Sequence, residues 1–170
     1  MCILSELSKD RSVIDRLSRP LEEAAFTIAV LRKLKCASIS TLDERVTCQK
    51  LVYFANELGI IPKYEFNLYL KGPYSPQLAR DLYALSNHFE KVPEADFISK
   101  NTEDSFKRLD DLLTRTSKNP RTLEVMATLH FFYRETKNKE VAREKTKLRK
   151  LASDDELRIA ETILNELRLW

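Results

Sequence analysis

Glycine is nearly absent, with only Gly59 and Gly72 in 170 residues. A sandwich or barrel of many short strands needs frequent tight turns, so an all-β fold is excluded, and 32% charged residues favour helices. Cysteine is scarce too. Cys2, Cys36 and Cys48 are odd in number and widely spaced, without a Cys-x-x-Cys or a neighbouring histidine that would build a zinc site. Cys36 and Cys48 are expected to be ordinary thiols on helices. No run approaches the roughly 20 apolar residues of a membrane span. The longest, Ala24 to Leu31, lies between Glu23 and Arg32 and reads as a buried helix. A secretory leader pattern is missing at the N-terminus, so a cytoplasmic protein is expected. Glycine-rich phosphate loops, G-x-S-x-G elbows, H-E-x-x-H pairs and Asp-rich calcium loops are missing as well. The expectation is a chain that is not an enzyme and needs no cofactor or metal.

What the chain does contain is helical periodicity. Val13, Ile14 and Leu17 follow Ile3, Leu4 and Leu7 at helical spacing in residues 1–19, which predicts one or two short helices. Pro20 is expected to open the next helix at N1, with Leu21, Ala24, Ile28 and Leu31 on one face and Phe26, Val30 and Leu34 widening it, a central helix. Thr41 to Glu44 has the form of a capping box, and Leu51, Phe54, Ala55 and Leu58 then repeat at helical spacing up to a C′ residue at Gly59. Tyr64, Phe66, Leu68 and Leu70 alternate with polar residues as a strand with one buried face. Its partner is expected at Lys91 to Ser99. Gly72-Pro73-Tyr74-Ser75-Pro76 breaks the strand, and Ser75-Pro76 caps a helix carrying Leu78, Leu82, Leu85 and Phe89. Further helices are marked by Phe106 to Leu113, by Asn119-Pro120 leading into the apolar Leu123 to Phe132, by Val141, Lys145, Leu148 and Leu151 as a narrow inward stripe, and by a second capping box at Ser153 to Glu156. These patterns predict a mainly α protein, one domain over 1–170 of about six to eight helices, with a small two-stranded β element from 63–71 and about 91–99 and residues 1–19 as a loosely docked extension.

Candidate sites are few. His130 lies on an apolar helix face and His88 ends another helix; neither has a carboxylate or nucleophile near it in sequence, so each reads as a core-edge histidine. Asp110, Asp111, Asp154, Asp155 and Glu156 read as helix-surface and first-turn acids rather than as metal ligands. From 134 to 150 there are eight basic and three acidic residues, a local net of +5 against −2 elsewhere. Lys139, Arg143, Lys147 and Lys150 share one helix face there, either a solvated face or a surface for an anionic partner, protein or nucleic acid. In the turn, Lys71, Gly72, Pro73, Tyr74 and Ser75 form a candidate partner-binding site, with an exposed Tyr74 and the N–H groups at the start of the Pro76 helix as contacts.

Gln49-Lys50-Leu51 with Tyr53 in a helix, followed by a strand and Gly72-Pro73-Tyr74-Ser75, resembles the core of the YwgA-like proteins of bacteria and archaea. More distantly it is similar to the Panacea (SocA-like) antitoxin domain. Leu70-Lys71 stands where those families often have Tyr or Lys-Tyr before Gly-Pro, the similarity continues through Leu123 to Thr128 and the last helix, and residues 1–40 are unmatched. The resemblance implies a non-enzymatic protein-binding module, antitoxin-like or phage-defence-related, that contacts a toxin or similar partner directly. The alternative is a winged-helix-like DNA-binding regulator built from residues 41–100, though its reading helix carries only Arg80 as a basic residue between Pro76 and Phe89.

Overall fold

The computed structural model describes residues 11–36, 38–62, 64–85, 92, 96–97 and 99–170, with side chains from Glu22 onward. Among them the chain runs α1 (Arg11–Lys33), α2 (Leu42–Glu57), β1 (Asn67–Tyr69), β2 (Gly72–Tyr74), α3 (Pro76–Ala84), α4 (Lys100–Arg115), α5 (Pro120–Thr136), α6 (Lys139–Lys150) and α7 (Asp154–Glu166). The protein is mainly helical with one small antiparallel strand pair, as its composition predicts.

Short side chains at helix starts set most of these boundaries. The Thr41 hydroxyl accepts from the Glu44 N–H and the Glu44 carboxylate accepts from the Thr41 N–H, and Ser153 and Glu156 repeat this reciprocal box at α7. Asn119 caps α5, whose first residue Pro120 has no N–H to leave unsatisfied. Gly59, at φ +67, closes α2, and the Ile60 N–H returns to the Ala55 carbonyl at 2.8 Å.

The run from Leu123 to Phe131 is buried on nearly every side, and α5 accordingly becomes the hub, packed against α2, α6, α7 and β2. The central place expected for the Pro20 helix therefore belongs to α5, while α1 packs on α2 and α3. Pro20 also falls inside α1 rather than opening it, so residues 11–19 are continuous with that helix; a proline forfeits one backbone bond there but has a φ suited to helix. Residues 1–10 lie outside the described residues. Buried apolar side chains from all seven helices join one contiguous core. Leu51, Phe54, Phe66, Leu82, Met126 and Leu129 are buried as expected, and Leu68 packs against them half-buried. No helix among the described residues is long and apolar enough to cross a membrane.

Three expectations need correction. The partner of β1 is β2, paired Asn67↔Tyr74, Leu68↔Pro73 and Tyr69↔Gly72, and not the segment 91–99, of which residues 91, 93–95 and 98 lie outside the described residues, as do His88 and Phe89. The Gly-Pro that reads as a strand breaker is itself strand: in a two-stranded sheet each strand is an edge, so the missing Pro73 N–H is tolerated. Leu70 and Lys71 form the turn, which leaves Leu70 81% exposed instead of inward.

Second, α6 packs with the opposite face from the one its pattern predicts. Ala142, Thr146 and Lys150 are buried, whereas Leu148 and Leu151 are 77% and 88% exposed. Small Ala142 and Thr146 let α6 lie close to α5, and the buried Lys150 charge is compensated, which the hydrophobic pattern alone cannot show. Third, Cys36 and Cys48 form a disulfide, with Cα atoms 6.5 Å apart, rather than two thiols on helices. Cys36 lies just beyond α1, where the left-handed Lys35 (φ +57) turns the chain back toward α2.

Candidate functional site

Gln49 and Lys50 are adjacent on α2, and both are buried against the hairpin. The Gln49 amide treats Ser75 as a neighbouring strand would: Ser75 N–H donates to Oε1 at 3.0 Å, and Nε2 donates to the Ser75 carbonyl at 3.1 Å. The Lys50 ammonium donates to the Pro73 carbonyl at 2.6 Å. From α6, Lys150 donates to the Leu70 carbonyl at 2.6 Å and pairs with Glu124 at 2.8 Å. Three side chains thus hold the main chain of the hairpin at its tip, its second strand and its exit. Gly72 completes the fit, because at φ +89 an added Cβ would stand 2.8 Å from Thr128 Oγ1 and 3.3 Å from Lys50 Cε. Of the motif residues Gln49, Lys50, Leu51, Tyr53 and Gly72 to Ser75, Gln49 thus contacts Ser75 and Lys50 contacts Pro73.

Burial lowers Lys50 to about 8, and nearby Lys150 adds to the shift while Glu124 opposes it. Burial likewise pushes His130 down to about 4, with Arg134 and Lys137 contributing, and holds Tyr53 well above the ordinary phenol value. The Tyr53 hydroxyl lies 2.7 Å from His130 Nδ1. With both groups neutral, the bond runs from the phenol to Nδ1 in one imidazole tautomer and from Nδ1–H to the phenol oxygen in the other. His130, read from sequence as a core-edge histidine, has Tyr53 as its side-chain partner, and the enclosed pair ties α2 to α5. Among the described residues no cluster of His, Cys, Asp and Glu is arranged to hold a metal ion.

The turn residues expected to meet a partner divide into two groups. Gly72, Pro73 and Ser75 are buried, and Ser75 Oγ already accepts from the Leu78 N–H, so these three belong to the framework rather than to a contact surface. Lys71 is exposed and Tyr74 half-buried, its ring edge-on to Tyr69 at a centroid distance of 5.1 Å. Beside them opens a groove of about 260 Å³, walled by Leu42 and Val46 of α2, Tyr69 and Tyr74 of the hairpin, and Leu82 and Tyr83 of α3. Among the described residues its charged lining is Arg45, Lys50 and Lys71, all cationic. The sequence offers a signal for this groove only in retrospect: Leu42 and Tyr83 are large apolar residues that remain exposed on helices with a well-buried opposite face.

No protein-family model matches the chain, and a search of curated proteins finds no match.

The basic face of α6 is not a free cationic surface. Arg143 pairs with Glu161 at 2.7 Å and Asp154 at 3.0 Å, Lys147 pairs with Asp154 at 3.0 Å, and Lys139 lies over the Trp170 ring at 5.3 Å. Lys150 is buried beneath the hairpin, which corrects its expected place on an anionic-partner surface. Of the first-turn acids of α7, Asp154 thus also neutralises this face.

Proposed function

We propose that the chain is a non-enzymatic protein-binding module of the YwgA and Panacea type, which acts on a partner protein in an antitoxin-like or phage-defence role. The observation that carries this reading is the gripped hairpin. Gln49, Lys50 and Lys150 fix its main chain and so present Tyr69, Lys71 and Tyr74 beside an apolar groove, at little cost in ordering on association. Tyrosine and arginine around an apolar hollow are the residue types that dominate protein interfaces. The enclosed Tyr53–His130 pair supports the non-enzymatic part, since an imidazole this deeply buried and bonded to a phenol is out of a substrate's reach. The DNA-binding alternative has less support: α3 carries Arg80 as its basic residue, and Arg143 and Lys147 are engaged by α7 carboxylates.

Affinity purification of the tagged chain from its native host at low salt, in wild-type and Tyr74→Ala forms, tests the reading. A stoichiometric protein partner is expected with the wild type and is expected to be depleted with Tyr74→Ala. The variant itself should melt only slightly lower, by the loss of one aromatic pair at about 0.5–1.5 kcal/mol. Absence of any stoichiometric protein with the wild type would overturn the proposal.

A further inference from the structure

The groove has properties that narrow what it can receive. Its volume of about 260 Å³ exceeds the cavity of about 150 Å³ that suffices to hold benzene when apolar residues line it. The walls are aliphatic and aromatic, so the side chain that enters should be apolar. The electrostatics are one-sided, because among the described residues Arg45, Lys50 and Lys71 line the groove and no carboxylate does. Lys50 faces the Pro73 carbonyl beneath the hairpin, which leaves Arg45 and Lys71 as the cations for an incoming group. Arg45 is held in position, since its Nη1 donates to the Ile39 and Ser40 carbonyls at 3.0 and 2.9 Å. A guanidinium fixed in this way loses little rotamer freedom when a carboxylate arrives.

We infer that the groove receives an apolar or aromatic side chain from an acidic segment of the partner protein, with carboxylates flanking that side chain meeting Arg45 and Lys71. The inference rests on the protein-binding reading and adds the chemistry of the partner. A single-stranded nucleic acid, the other ligand that combines stacking surface with negative charge, fits less well. Backbone tracking needs a line of unpaired cations, and on α6 Arg143 and Lys147 are paired with α7 while Lys150 is buried.

Amide chemical shifts of the isotopically labelled full chain, titrated with short capped peptides, provide the test. The probes are Asp-Phe-Glu, Lys-Phe-Lys and Asp-Gly-Glu, with oligothymidylate as the nucleic-acid arm. Asp-Phe-Glu should shift the amides of Val46, Gly72, Tyr74 and Leu82 and bind roughly tenfold tighter than the other two peptides, the equivalent of about one charge-assisted bond. Arg45→Gln and Lys71→Glu should each remove that preference; Lys71 is an exposed turn residue, so its variant folds even where Arg45→Gln does not. Equal binding of Lys-Phe-Lys, no groove shifts with Asp-Phe-Glu at millimolar concentration, or tighter binding of oligothymidylate would each overturn the inference. A native partner still retained by Lys71→Glu and Arg45→Gln would overturn the acidic-segment inference while leaving the protein-binding reading in place.

Discussion

Single residues decide whether the hairpin is held. Gly72 combines a left-handed φ of +89 with a Cβ direction 2.8 Å from Thr128 Oγ1, so Gly72→Ala should destabilise by roughly 1–3 kcal/mol. Adding Thr128→Ala should recover the steric share and not the conformational one, which a double-mutant cycle in urea would measure as a positive coupling. Gln49→Ala strands the Ser75 N–H and carbonyl in a buried place, at about 1–3 kcal/mol for each group. Lys150→Met should cost up to about 3 kcal/mol, because it takes the ammonium partner from Glu124, whose side chain is 13% exposed. A Lys150→Met protein that melts like wild type would mean that Glu124 reaches solvent.

At the scale of elements, the caps are the simplest levers. Thr41→Ala and Ser153→Ala each remove one half of a reciprocal box and should lower stability by about 0.5–2 kcal/mol, additively since they start different helices. The disulfide adds a second constraint on the start of α2. Closing the loop between Cys36 and Cys48, 12 residues apart, should contribute about 3 kcal/mol through the unfolded chain, so reductant should lower the urea midpoint. A midpoint indifferent to reductant would show that the bond does not form in the folded protein. These elements also show what the sequence made legible. The helix starts at Thr41, Asn119 and Ser153 and the end at Gly59 depend on neighbours within a few residues, and each could be read directly. The inward face of α6 could not, because Lys150 is compensated by Glu124 and by a carbonyl 80 positions away at Leu70. The disulfide depends on how a connection folds back, and the groove on three separate elements converging. Gln49, Lys50 and the Gly72 to Ser75 turn were visible as a pattern, while their mutual contact needed the fold.

For the whole molecule, pH should act through two buried groups in opposite ranges. His130 falls to about 4 in the folded chain against an ordinary 6.5, so the unfolded chain takes up its proton first. Its contribution is complete above about 6.5 and is lost as pH drops toward 4, on the order of 2–3 kcal/mol. Glu156, held down at about 2 chiefly by Arg121, acts lower still, between 4.5 and 2. Lys50 has the opposite reach: the unfolded chain keeps its proton up to 10.5 while the folded chain releases it near 8, so stability should rise across that window by a similar amount. Urea midpoints across pH should show both arms, and Lys50→Met should flatten the alkaline one alone. The grip on the hairpin has one more consequence. Gln49 and Lys50 bind peptide groups of Ser75 and Pro73 and Lys150 binds that of Leu70, so none of the three depends on the side chains at Tyr69, Leu70, Lys71 or Tyr74. Those positions can be rewritten without removing the hydrogen bonds that hold the hairpin's main chain, which uncouples the chemistry of its outer face from folding.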